Sequence, residues 1–153
     1  MFILHKKRIN TVSIKMVKES STLYDVRKIS SPNDIYNIVK DMLLESDREK
    51  LIVCCLSTKN EPINLSVVSV GSINSSIVSP REVFKTAILS NSASIILAHN
   101  HPSGDTTPSK EDINITSRIK ECGRILGIDL IDHIILGNIY TCNYTSLKEK
   151  NYI

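Results

Sequence analysis

Residues 94–112 read SIILAHNHPSGDTTPSKED, and the fold turns on how that stretch divides. Ser94-Ile95-Ile96-Leu97-Ala98 is a short, wholly apolar run after its first residue, the pattern of a strand covered on both faces. A polar loop with Pro102, Gly104 and Pro108 ends that strand and lets the chain turn. Ser109-Lys110-Glu111-Asp112 then has the form of a helix start, with Ser as N-cap and an acid three residues on. A buried strand that passes through a short loop into a helix belongs to an α/β architecture.

The flanking sequence extends that reading. The helix begun at Ser109 covers about 109–126, with Ile113, Thr116, Ile119 and Leu126 inward and Gly127 as its stop. Residues 130–136 and 139–142 form a last strand pair around the turn dipeptide Gly137-Asn138. Upstream, Ser79-Pro80-Arg81-Glu82 opens a helix that runs through Phe84, Ala87 and Ile88. Residues 51–56 (LIVCCL) are a second doubly covered strand, followed by the Lys59-Asn60-Glu61-Pro62 turn and a strand over 63–70. Ser31-Pro32-Asn33-Asp34 starts a helix whose Ile35, Ile38, Val39, Met42 and Leu43 repeat at helical spacing. Residues 9–18 (INTVSIKMVK) alternate well enough to predict a strand at a sheet edge. The sum is a three-layer α/β domain, a mixed β-sheet flanked by helices.

Composition sets the limits. The 153 residues suit one core, and 41% hydrophobic with 23% charged residues is ordinary for a soluble protein. Aromatics are only 5%, so Ile, Leu and Val must build the interior. No apolar run approaches the roughly 18 residues of a membrane span. The first residues place Lys6-Lys7-Arg8 after a very short apolar start, the reverse of an export signal, which predicts a cytoplasmic protein with no membrane partner. Cysteines 54, 55, 122 and 142 lack zinc-ribbon spacing and are expected as reduced, mostly buried thiols, with Cys54 and Cys55 on opposite strand faces. Residues 1–28 hold seven Lys/Arg against two Asp/Glu, dividing the chain into a basic N-terminal strand or extension and a domain over 29–153. That basic start could touch a phosphate backbone, but no aromatics are interleaved with it, so weak or no nucleic-acid binding is expected. Nothing in the sequence sets an oligomeric state.

The loop after residue 98 carries the chemistry. Ligands of open α/β sheets gather at the carboxyl ends of strands. His99 and His101 lie two apart there, so on extended backbone their imidazoles project to one side. The turn that follows delivers Asp112 in the first helical turn as a third, harder ligand. Two His, one carboxylate and an open fourth position make a hydrolytic zinc site rather than a structural one. Each residue alone has a plainer reading: Asp112 as a helix-start acid, a His at a strand end as a hydrogen-bonded structural group. The conjunction favours a metal. His133, beside Asp132 at a strand start, is read as a structural hydrogen-bonded residue, with support of the metal ligands as the alternative.

His99, His101, Ser109 and Asp112 match HxH, seven residues, Ser, two residues, Asp without a gap. In this the chain resembles the JAMM (MPN+) metalloproteases. HNHPSG over residues 99–104, with Val70-Gly71, Ser79-Pro80-Arg81-Glu82-Val83 and Asp132-His133, resembles the bacterial RadC family more narrowly, over roughly residues 30–150. The resemblance implies a cytidine-deaminase-like fold and one catalytic Zn2+ per chain. Longer RadC proteins have an N-terminal helix-hairpin-helix-like region, and this chain looks like the short form. Ser79 stands where the family often has His. The pattern also requires a glutamate upstream of HxH as general base. Glu49, just before the strand 51–56, is where the JAMM glutamate lies; Glu82, the other candidate, has a capping-box position. By the same resemblance Ser109 would stabilise an oxyanion. The leading expectation is thus a metallopeptidase or isopeptidase-like hydrolase acting on a peptide or protein. A DNA-repair or recombination accessory protein is the alternative, and an idle metal-stabilised scaffold a third.

Overall fold

The computed structural model describes residues 7–71, 73 and 78–153. The elements are α1 (Pro32–Leu43), β1 (Lys50–Leu56), β2 (Pro62–Val70), α2 (Pro80–Leu89), β3 (Ser94–Asn100), α3 (Lys110–Leu126), β4 (Asp129–Leu136) and β5 (Tyr144–Ser146). The strands form one mixed sheet in the order β2-β1-β3-β4-β5. β3 and β4 are parallel and joined by α3; the other pairs are antiparallel.

The two continuous apolar runs occupy the sheet centre, where both faces need cover. Leu51, Val53, Cys55, Ile95 and Leu97 face one side and pack with Val83, Phe84 and Ala87 of α2 and Ile115 and Ile119 of α3. Ile52, Cys54, Leu56, Ile96 and Ala98 face the other and pack with Ile35, Ile38, Val39 and Leu43 of α1. The adjacent cysteines therefore do point to opposite faces. Cys54 and Cys55 are buried, Cys122 half-buried, and Cys142 is exposed, against the expectation for that thiol; all four are free. Burial, then the neighbouring Cys55, pushes the Cys54 thiol up to about 12, which makes it inert.

The helix starts follow their local signals. Asp34 accepts from the N–H groups of Ser30 and Ser31, both at 2.8 Å. Ser79 accepts from the Arg81 N–H, and Ser109 from the Asp112 N–H. Gly127 adopts φ +71°, the left-handed stop expected of it.

Three expectations need correction. Residues 7–28 form no strand; Ile9 and Leu23 are 97% and 98% exposed. Only Val12, Ile14 and Met16 alternate in register, and among the described residues no backbone hydrogen bond ties 7–28 to the sheet, the first being Ile29 N–H to Asn60 O. Residues 1–6 of the basic start lie outside the described residues. The final strand is Tyr144–Ser146, not 139–142. The Asn138 side chain accepts from the N–H groups of Tyr140 and Thr141, folding that stretch into a turn. Leu126 is 47% exposed; the buried stripe of α3 is Asp112, Ile115, Thr116, Ile119 and Gly123. Gly123 ends that stripe because a Cβ there would stand 2.4 Å from the Ile128 carbonyl. Among the described residues no helix is long and apolar enough to cross a membrane.

Candidate metal centre

β3 carries His99 to the end of the sheet on the α3 side, since alternation sets it with Leu97 and Ile95. The chain then turns tightly: Gly104 donates its N–H to the His101 carbonyl at 2.9 Å, with Gly104 at φ +86°. The turn rests on the β4–β5 connection. His101 N–H donates to the Leu136 carbonyl at 2.8 Å, and the Asn138 amide to the Pro102 carbonyl at 3.0 Å. Residues 105–108 lead to α3, whose first turn presents Asp112 to both imidazoles.

Three side chains converge. His99 Nε2 stands 3.0 Å from His101 Nε2. Asp112 Oδ1 is 3.2 Å from His99 Nε2, and Oδ2 is 3.5 Å from His101 Nε2. Donors at about 2.0–2.1 Å from one tetrahedral zinc stand roughly 3.4 Å apart, and these separations bracket that value. The tautomers sharpen the fit. His101 Nδ1 lies 2.6 Å from the Asp105 carbonyl, which can only accept, so Nδ1 carries the proton. Neutral His101 therefore aims a bare Nε2 lone pair at His99 and Asp112. Such a group needs a cation, a proton or a metal, between its members.

The electrostatics agree. Burial alone would raise the Asp112 carboxyl, but hydrogen bonds from His101 and His99, the His99 charge and the Ser109 hydroxyl outweigh it and hold it far below the usual carboxylate range. His101 is raised, first by its hydrogen bond to Asp112 and against its own burial, with the Asp105 carbonyl and the charges of Asp112 and Glu49 adding. A proton is thus retained where a metal would bind.

Glu49 immediately precedes β1. Leu51 pairs with His99, and continuing that antiparallel register sets Glu49 opposite His101. Glu49 is half-buried, and its Oε2 accepts from the Ile73 N–H at 2.9 Å. Asn100, whose side chain alternation turns away from His99 and His101, grips the peptides on either side of Glu49. Its Oδ1 accepts from Lys50 N–H at 2.8 Å, and its Nδ2 donates to the Arg48 carbonyl at 3.0 Å. Glu82, expected in a capping box, lies half-exposed on α2 and pairs with Lys85 at 2.7 Å instead. Ser109 donates its hydroxyl proton to Asp112 Oδ2 at 2.7 Å while its N–H reaches the same oxygen at 2.8 Å, so it orients the carboxylate as well as capping α3.

Behind His99 lies a buried polar pair. His99 Nδ1 is 2.8 Å from His133 Nε2, and His133 Nδ1 is 2.6 Å from Thr116 Oγ1. Thr116 in turn reaches the Asp112 carbonyl at 2.6 Å. Burial, then the His99 charge, pushes His133 well below its ordinary value and keeps it neutral. Thr116 was expected only as an inward helix residue; the signal for its second task is that it sits four residues after Asp112.

A family model described as the RadC-like JAB domain matches residues 29–152. A UPF0758 protein of Methanosarcina barkeri is 50% identical over 127 residues, 83% of this chain and 54% of that protein. UPF0758 proteins of Clostridium novyi and Clostridium beijerinckii are 54% and 55% identical, over 84% and 82% of this chain and 55% and 54% of their own lengths. The chain spans about half the length of these curated relatives.

Proposed function

Since the chain belongs to the RadC-like JAB domain family, we propose that it is a zinc-dependent hydrolase of JAMM type that cleaves an amide bond of a peptide or isopeptide. His99, His101 and Asp112 are its metal ligands and Glu49 its general base. The observation that carries the reading is the convergence of His99 Nε2, His101 Nε2 and the Asp112 carboxylate. Zinc bound there would lower the pKa of a water towards ~7 and polarise a substrate carbonyl.

The chain's own residues do the rest. The Asp105 carbonyl holds His101 with Nε2 free, and Ser109 holds the Asp112 carboxylate in place. Glu49 takes the proton of the attacking water and returns it to the leaving amine, which keeps the proton count balanced. Its Oε2 accepts from the Ile73 N–H, which holds the carboxylate in place. Ser109 is the candidate to stabilise the oxyanion, which requires its hydroxyl to turn from Asp112 to the substrate oxygen. The test is a screen of zinc-loaded protein against peptide and isopeptide libraries, with the Glu49→Gln protein alongside. Cleavage by the wild type alone supports the reading; no cleavage, or equal cleavage by both, removes it.

A further inference from the structure

The proton on Thr116 decides a longer chain. The hydroxyl lies 2.6 Å from two atoms, the Asp112 carbonyl and His133 Nδ1. A carbonyl oxygen can only accept, and two oxygens at 2.6 Å with no proton between them would repel, so the Thr116 proton goes to Asp112. Thr116 Oγ1 is then an acceptor, and His133 Nδ1 must be the donor. His133 is fully buried, and its two ring nitrogens meet an imidazole and a hydroxyl rather than a carboxylate that would balance a charge, so the ring is neutral and, with Nδ1 protonated, its Nε2 is a lone pair. His99 Nδ1, 2.8 Å away, must donate to it. Every link has one allowed direction.

We infer that Thr116 and His133 are positioning residues that fix the proton of His99 on Nδ1, and so turn a bare Nε2 towards His101 and Asp112. The inference rests on the metal-binding reading above. The chain starts from the backbone carbonyl of Asp112 and ends on His99, so one ligand's main chain orients another ligand's ring. Its geometry is set by three elements: α3 supplies Thr116, β3 supplies His99, and β4 holds His133 beside Leu97 in parallel register. Asp132 anchors the backbone there, accepting from the His133 N–H at 2.7 Å, the Lys148 N–H at 3.1 Å and the Ser146 hydroxyl at 2.6 Å. The other ligand ring, His101, is fixed separately by the Asp105 carbonyl.

The test compares Thr116→Val, which keeps shape but can neither accept nor donate, with Thr116→Ser, which can do both. Zinc affinity is read by competition with a chromophoric chelator, and imidazole protonation by 15N spectra of the zinc-free and zinc-loaded proteins. The expectation is a 10–100-fold loss of zinc affinity in Thr116→Val, the usual worth of a partner behind a metal ligand, with Thr116→Ser near wild type. In zinc-free wild type, His99 and His133 should both carry their protons on Nδ1. A Val variant with wild-type affinity, or a zinc-free His99 lacking the Nδ1 proton, overturns the inference. If the Val variant does not fold, the wild-type 15N spectrum decides alone. Wild-type protein that binds no zinc would instead sink the hydrolase reading, while the zinc-free spectrum still judges the chain of protons.

Discussion

Asn100→Ala separates the brace behind Glu49 from the cluster of His99, His101 and Asp112 in front of it. The Asn100 amide is 1% exposed and makes two good hydrogen bonds to the backbone flanking Glu49, at 2.8 and 3.0 Å. Each is worth about 1 kcal/mol net, and truncation also leaves the half-buried Lys50 N–H without its partner, so the total loss is about 2–4 kcal/mol. For a chain of this size that lowers the thermal midpoint by roughly 5–15 °C. Because His99 and His101 lie on the other face, zinc affinity should change by no more than about threefold, well short of the 10–100-fold attributed to partners of metal ligands. Turnover on a cleaved substrate should fall more than zinc affinity, because the segment carrying Glu49 has lost its grip. Calorimetric melting and chelator competition on the same preparation read both. An unshifted midpoint would refute the brace; a loss of zinc matching that of His99→Ala would refute the separation of the two faces.

Glu49→Gln should keep zinc and lower turnover by about 10²–10⁴-fold, while Glu82→Gln leaves turnover intact; the opposite pattern in steady-state rates reassigns the base. Zinc affinity should decline with acid as a proton competes for His101. Its pKa is raised above the ordinary 6.5, so the decline, about tenfold per pH unit, starts above that value, while Asp112 stays ionised throughout. A chelator titration flat from pH 8 to 5 would contradict this. DNA affinity at physiological salt should be weak and unmoved by His99→Ala; if residues 1–28 do track phosphates, neutralising Lys6, Lys7 and Arg8 would flatten its salt dependence by about one slope unit per lost contact. Tight binding would favour the accessory-protein alternative.

What the sequence made legible was what short-range chemistry determines. The Ser-Pro starts at 31 and 79 cap helices through neighbours two to four residues away, the first through Asp34 and the second through Ser79 itself, and the runs at 51–56 and 95–98 are apolar on both faces because both sit mid-sheet. His99 and His101 were readable together because they share one strand end, and Asp112 because its helix start lies just downstream. The strand expected over 9–18 failed because alternation is a local pattern, whereas a strand needs a partner, and among the described residues no backbone hydrogen bond ties that segment to the sheet. The stretch 139–142 failed because one side chain, Asn138, closes a turn there. Glu49 faces His101 through an antiparallel register that spacing cannot give; the family resemblance pointed to it. The Thr116–His133 chain depends on a parallel register between β3 and β4 and on helix α3 above them, so its three elements meet only in the fold.

Zinc stoichiometry tests the central claim most directly. Protein stripped with a chelator, reloaded and desalted should hold close to one zinc per chain by elemental analysis. His99→Ala, His101→Ala and Asp112→Ala should each lower that content, and replacement of Cys54 or Cys142 should not. Full zinc retained by the His99→Ala, His101→Ala double variant would contradict the account.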